Sequence, residues 1–472
     1  MDGDGVKRVR STNQPGEVDR ISHLPDCLIF KVLLSLPTKE VVKTSTLSTR
    51  WNHIWKHVPG LNLEYDDFSE HDSFVSFIDS FLSFNRDTRL HMFKLTYDYS
   101  EADEPEPSLV RRWLDTVSRM KVETLDVTDD SAESWELEMT PALYTCGSLV
   151  SLKLVGLTLP SPDLVSLPSL KDINLILVEF TDEWALEKFI SQCPSLKNLC
   201  IERSFGDDIP MLRVRSQSLL TFIHIVDSHE SFDDERILEI DAPMLKYLKL
   251  SDGRTASFKL EDTASLVGVH INTAFNLTST RRFCPNDAQK RNMIQNFLLM
   301  ISRVDNIVIA SCTLEVTYVI YEYSRYEQLP VFRNLSSLRV NLDGYVWEML
   351  PVFLESCPNL TTLVLGSIQN HVKVGITVSP RRPRVLPSLK YVEIERPFKG
   401  DALEMQLVGY LLVNSQSLKK LTLSLDDSLK KERSVIFNEL LLMPRLSSTC
   451  EVVVLSDDPY DITNESAYKF VL

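Results

Sequence analysis

After residue 66 one short phrase keeps returning: "CGSLVSLKL", "LPSLKDINL", "CPSLKNLCI", "APMLKYLKL", "CPNLTTLVL", "LPSLKYVEI" and "SQSLKKLTL". Its skeleton is Leu, two variable residues, Leu, one variable residue, Leu. The first Leu falls at Leu149, Leu170, Leu196, Leu220, Leu245, Leu266, Leu335, Leu360, Leu389 and Leu418, with weaker copies from Val58, Met92, Val122 and Val304. The Leu-x-Leu alternation predicts a short strand with one apolar face. Most intervals are 21 to 30 residues, which predicts stacked units that cover one another's apolar faces. Between the phrases, "SFVSFIDSFLSF", "SLVRRWLDTVSRM", "DEWALEKFISQ", "QKRNMIQNFLLMISRV" and "YVWEMLPVFLES" have helical spacing. Each unit therefore reads as strand, loop, helix, loop. The fold class is α/β: an irregular solenoid with a parallel sheet on its concave face and helices outside.

Ahead of the repeats the pattern changes. In "LPDCLIFKVLLSLP", residues 24–37, only Lys31 and Ser35 are polar between Cys27 and Leu36. As a helix it is apolar nearly all round, and such a helix must be covered on every side. Pro25 suits its first turn, Asp26 complements its dipole and Pro37 ends it. Thr38 can cap a second helix, "EVVKTSTL". In "LSTRWNHIWKHV", Leu47, Trp51, Ile54, Trp55 and Val58 predict a third helix with one broad apolar face. About forty residues is below the size that usually sustains its own core, so some of this apolar surface must meet a partner.

Composition narrows the picture. The 472 residues are too many for one ordinary core, and 43% apolar with 25% charged is the balance of a folded soluble chain. Fourteen glycines is few, and neither GxxxxGK nor GxGxxG occurs, so phosphate-cradling loops are not expected. The net charge is −16, which argues against nucleic-acid binding. Residues 1–60 hold nine Lys/Arg against six Asp/Glu, a net of +3, so the remainder carries −19. A basic head on an acidic body suggests that the head meets an acidic partner.

Eight scattered cysteines without CxxC read as free thiols of a reducing compartment, nucleus and/or cytoplasm. Cys146, Cys193 and Cys357 each stand three residues before the first Leu of a unit, where Leu167, Ala242, Phe332 and Leu386 stand in others. They read as small buried side chains. The N-terminus has no apolar run of a signal peptide, and no stretch reaches the roughly 18 apolar residues of a membrane span. Residues 1–18 read as a disordered tail, and its "KRVR" at 7–10 as solvated charges. His53 and His57, one turn apart with no third ligand, read as surface imidazoles. "DSHE" at 227–230 has the letters of a catalytic triad, but adjacent residues do not form one, and "PRRPR" at 380–384, the densest basic spot, reads as a solvated loop between units. With no GxSxG, HExxH or framed carboxylate pair, no catalytic residue is assigned.

The head resembles an F-box over residues 19–66. The resemblance rests on Leu24-Pro25, Leu28, Ile29, Val32-Leu33, Leu36-Pro37 and Leu47-Ser48-Thr49-Arg50-Trp51. Thr49 departs from it, because a basic residue is usual there. Residues 67–384 resemble an irregular leucine-rich repeat. Residues 385–456 resemble the FBD module of plant F-box proteins through Leu389, Val392-Glu393-Ile394, Phe398-Lys399-Gly400, Val408-Tyr410-Leu411-Leu412 and Leu418-Lys419-Lys420-Leu421. That module reads equally as an end cap or a separate binding unit. Residues 457–472 read as a polar tail.

This resemblance implies a non-catalytic substrate receptor of a Skp-cullin-F-box ubiquitin ligase. A Skp-type adaptor, and through it a cullin, would dock on Leu24, Pro25, Leu28, Ile29, Val32, Leu36, Pro37 and Trp51. The alternative it leaves open is a non-degradative scaffold or a small-molecule sensor. A target protein would meet the outward strand positions, among them Lys153, Asn174, Asn198, Lys249, Thr362 and Glu393. Because the basic residues look dispersed, no cofactor is expected.

Overall fold

The computed structural model describes residues 21, 24–86, 88–98, 107–130, 137–203, 209–226, 236–277, 288–323, 329–341, 349–366, 385–425, 433–455 and 470–471. The tail at 1–18 with its "KRVR", the "DSHE" and "PRRPR" segments, and all of 457–472 except Phe470 and Val471 lie outside the described residues.

The described chain opens with α1 (Asp26–Leu33) and α2 (Thr38–Lys43), then continues through β1 (Gly60–Glu64), α3 (His71–Phe84), β2 (Met92–Tyr97), α4 (Pro107–Arg119), β3 (Thr124–Asp129) and β4 (Ser151–Val155). Next come β5 (Thr158–Leu159), β6 (Asp172–Ile176), β7 (Glu179–Phe180), α5 (Ala185–Ser191), β8 (Asn198–Arg203), β9 (Met211–Arg215), β10 (Thr221–Val226), β11 (Arg236–Asp241), β12 (Tyr247–Asp252), β13 (Thr255–Leu260) and β14 (Gly268–Asn272). The last third holds α6 (Ala288–Met300), β15 (Asn306–Ala310), α7 (Ser311–Tyr323), β16 (Ser337–Asn341), α8 (Met349–Glu355), β17 (Thr362–Leu365), β18 (Tyr391–Phe398), α9 (Ala402–Asn414), β19 (Lys420–Leu425), α10 (Arg433–Leu442), β20 (Glu451–Leu455) and β21 (Phe470–Val471).

Among the described residues sixteen strands form one sheet, each beside the next sheet member along the chain. Every pairing is parallel except the last, where β21 runs antiparallel to β20. In β4, β6 and β16 every second residue is buried. The Leu-x-Leu residues thus point inward, and the variable residues between them point outward. Cys146, Cys193 and Cys357 are buried free thiols, and the last two face the carbonyls of Phe189 and Phe353 at 3.3 Å. Burial pushes the Cys193 thiol up to about 12, so it is inert at neutral pH.

Helices occupy the five predicted connections, but the strand–helix alternation is not uniform. Between β8 and β14 the connections are strands: β9, β11 and β13 pair into a second parallel sheet. "MLRVR", "RILEID" and "TASFKL" alternate apolar and polar with period two and are too short for a packed helix. α7 is the converse case. Its "CTLEVTYVI" looks like a strand, yet Thr313 anchors it as a helix: Thr313 Oγ1 accepts the Thr273 N–H at 2.8 Å and donates to the Thr273 carbonyl at 2.9 Å.

Two repeat units sit elsewhere than their phrases suggest. The unit placed at Met92 starts at Leu90, which is buried with Phe93 and Leu95. The unit placed at Leu220 starts at Leu219. There β10 pairs Phe222 with both Leu199 and Leu248, so Phe222 and His224 face inward while Ile223 and Ile225 face outward. A slip of one residue exchanges the two faces of a strand. His224 therefore stands in a slot that other units fill with Leu, Ile or Val, and it is fully buried. Its Nε2 lies 3.0 Å from Asp252 Oδ2 of the adjacent unit. Asp252 also accepts the Thr255 hydroxyl and the backbone N–H groups of Arg254 and Thr255. Burial alone would raise the Asp252 carboxyl. The hydrogen bond and charge of His224, helped by Thr255, outweigh it and hold the carboxyl at about 2.

The third head helix does not form. Residues 44–46 and 54–57 are short 3-10 turns, and bonds such as Trp51 N–H to Ser48 O at 3.0 Å step back three residues, not four. Ser48, Thr49 and Asn52 are weak helix formers with side chains that compete for backbone groups. Trp51, Ile54 and Val58 still turn inward, but Leu47 does not.

Candidate functional site

The head builds its first surface from α1. Pro25 precedes the helix with extended φ and ψ, and Asp26 sits in the first turn. Arg50 Nη2 donates to Asp26 Oδ1 and to the Leu24 carbonyl, both at 2.6 Å, so the loop after Leu47 is tied to the start of α1. Ile29 and Leu33 point inward and join Val41, Trp51, Ile54 and Val58 in a small core separate from that of the strands. Leu24 and Leu36 are half-buried against it. Pro25, Leu28, Val32 and Pro37 are exposed.

The eight head residues singled out in the sequence thus divide. Ile29 and Trp51 form the floor and are not themselves accessible, because both belong to the small core. Leu28 and Val32, one helical turn apart, are 43% and 56% exposed. Leu47 is 67% exposed and was assigned to the inner face only because a helical period was assumed. Leu28 and Val32 thus share one open apolar side of α1.

The second surface is the outward face of the strands. Parallel register aligns one row across the sheet: Lys94, Asp126, Lys153, Asn174, Cys200, Ile223, Lys249, His270, Val308, Arg339, Val364 and Glu393. Thr362 and Asn198 lie in the adjacent row. All six target-face residues named from the sequence are on this side, and none is in the core. Lys153, Asn174 and Asn198 line one depression of about 370 Å³ together with Lys94, Asp126, Cys200 and Ile223. Lys249, Thr362 and Glu393 stand outside it. Two of the lining groups are held in place: Lys153 is 3.4 Å from Asp126, and Asn198 donates to Asp172 at 2.6 Å. The Asn174 Oδ1 is buried without a hydrogen-bond partner. Arg339 forms a bidentate pair with Glu395 two strands away.

Among the described residues, no group of three or more His, Cys, Asp or Glu could hold a metal ion, and no helix is long and apolar enough to cross a membrane.

Three family models match: an F-box domain over residues 21–62, the LRR repeats of an FBD-associated F-box protein over 110–280, and FBD over 383–423. The chain is 56% identical over 462 residues to F-box/FBD/LRR-repeat protein At1g78750 of Arabidopsis thaliana, spanning 96% of this chain and 100% of the relative. This chain belongs to the plant F-box/FBD/LRR-repeat family. F-box/LRR-repeat protein 13 of the same plant is 55% identical over 455 residues, with the same coverage. The F-box match takes in α1, α2 and both 3-10 turns.

The FBD match spans β18, α9 and most of β19 of this F-box/FBD/LRR-repeat protein. Its "FKGD" turn is fixed by a reciprocal cap. Glu404 Oε2 accepts the N–H groups of Lys399, Gly400 and Asp401 at 2.8, 2.6 and 3.1 Å, while Asp401 Oδ1 accepts the Glu404 N–H at 2.9 Å. Gly400 has φ +72°, and a Cβ there would lie 2.6 Å from Ile436, so another residue would collide with α10. Burial and the nearby Asp401 push the Glu404 carboxyl up to about 7 against those three hydrogen bonds.

Proposed function

We propose that the chain is the substrate-recognition subunit of a Skp-cullin-F-box ubiquitin ligase. The F-box docks on a Skp-type adaptor, and the outward strand face binds a target protein. One observation supports this most: Leu28, Val32 and Leu47 stay open on a head whose own small core is already filled. Covering each such side chain contributes on the order of 1–2 kcal/mol. Ile29 and Trp51 shape the docking surface from beneath, while Leu24, Pro25, Leu36 and Pro37 border it. The chain itself transfers nothing. It raises the effective concentration of target lysines at a ubiquitin-conjugating enzyme held on the cullin.

The test is titration of the purified full chain with a Skp-type adaptor. Leu28→Glu with Val32→Glu should weaken binding at least 100-fold while the thermal transition of the strands is unchanged. Leu24→Ala with Pro25→Ala should weaken it as well. Unchanged affinity in both double variants would remove this docking face.

A further inference from the structure

The outward face is not electrically uniform. From Lys94 to Lys153 its central row alternates in sign, with Asp126 between two lysines. From β12 to β16 the outward positions carry Lys249, His270 and Arg339 and no Asp or Glu. Arg339 is paired with Glu395, so Lys249 carries the positive charge of this stretch, on a chain of net charge −16. Two exposed tyrosines flank it, Tyr247 and Tyr391. The Tyr247 ring lies over Gly268 on the adjacent strand, where a Cβ would stand 3.2 Å from its Cδ1. Glycine leaves room for the ring to rest on the sheet and so presents a pre-positioned aromatic surface. Exposed tyrosines beside cations are a frequent composition of protein-binding surfaces.

We infer that Tyr247, Lys249, His270 and Arg339 form the recognition patch for an acidic segment of the target polypeptide. The inference rests on reading the strand face as the target-binding surface. Lys249 and His270 meet the target carboxylates directly. Arg339, held by Glu395, contributes field and a fixed edge. Charge complementarity selects the occupant, since a basic or neutral segment would leave Lys249 uncompensated.

His270 adds a signature. Burial first, then Lys249 and Arg339, hold its imidazole below the ordinary value. The groups facing it are Tyr247, Lys249 and Ser251 on β12, Asn306, Val308 and Ala310 on β15, and Arg339 beyond them on β16. A target carboxylate seated there reverses the local field and raises the imidazole, so binding takes up a proton. Affinity then increases as pH falls from 8 to 6, a range in which ordinary peptide carboxylates do not titrate.

The experiment uses the full chain captured on a Skp-type adaptor and a displayed library of random peptides. Enriched peptides should be rich in Asp and Glu. One of them, resynthesised, should bind about 3- to 10-fold more tightly at pH 6 than at pH 8. Lys249→Glu should lose at least 10-fold, Lys249→Gln should lose less, and His270→Ala should flatten the pH dependence. Enrichment of non-acidic peptides, absence of any enriched peptide, or binding of inorganic polyphosphate in preference to peptides would overturn the inference. Adaptor capture is read in the same preparation. Its failure would count against the receptor reading, while peptide results with capture intact bear on the patch alone.

Discussion

Six buried side chains, from Ile29 to Val58, make up the interior of the head, whereas the strand stack carries a continuous interior from Leu61 to Val454. Each strand of the stack is covered by its neighbours along the chain. Among the described residues the head has no neighbour over Leu28, Val32 and Leu47. The contrast shows how one chain can use the same apolar residue types for self-closure in one region and for an unfinished surface in another. What separates the two is whether the next repeat supplies the cover.

The largest expected effect breaks the closed region. Phe222→Ala empties a fully buried site between Leu199 and Leu248 and should cost about 3–5 kcal/mol, read as a lower denaturant midpoint. Adaptor binding below the transition should persist; if it is lost in parallel, the head is not energetically distinct. Next, residues 1–66 expressed alone should show no cooperative melt by circular dichroism. A reversible transition in that fragment would mean that six buried residues suffice, against the comparison drawn here.

A third test concerns the buried His224–Asp252 pair in the closed interior. The folded Asp252 carboxyl is held below its unfolded value, so it adds stability above about pH 4 that is lost as pH falls toward 2. The full amount is about 2 kcal/mol. His224→Leu removes its main downward influence and should shrink that acid-limb change, measured by urea denaturation across the range. An unaltered slope would assign the effect to Thr255 and the backbone. The smallest effect belongs to the head surface: Glu40→Gln breaks an exposed pair with Lys43 and should change stability by less than about 0.5 kcal/mol.

Much of the interior was readable because Leu-x-x-Leu-x-Leu fixes both the strand and its buried face. The strand register predicted from Leu149, Leu196 and Leu360 holds, and the three cysteines fall where the period puts them. The failures are equally physical. At Leu219-Leu220 two registers were available, and the more apolar one lost to pairing with β8 and β12. Asp252 makes the consequence tolerable for His224. In the head, helical spacing hid the exposure of Leu47, because a chain of 3-10 turns returns to one face at a different interval. The outward face was located by alternation alone. Its division into a mixed-sign end and a basic stretch needed the register between strands, which no single phrase contains.

The junction between head and stack has a mechanical consequence. Val58 is in the head core, and Gly60 already begins β1, with Pro59 alone between them. A Cβ at Gly60 would overlap Leu34, the Asn62 N–H donates to Thr38 Oγ1 at 2.8 Å, Trp55 stacks on Phe77, and Asn85 donates to the Lys56 carbonyl. There is no tether here to swing on. In the receptor proposed above, such a junction would act as a bracket, with the direction in which a bound target points set by the fold. Which of the target's lysines came within reach would then be a matter of shape rather than of chance encounter along a flexible arm.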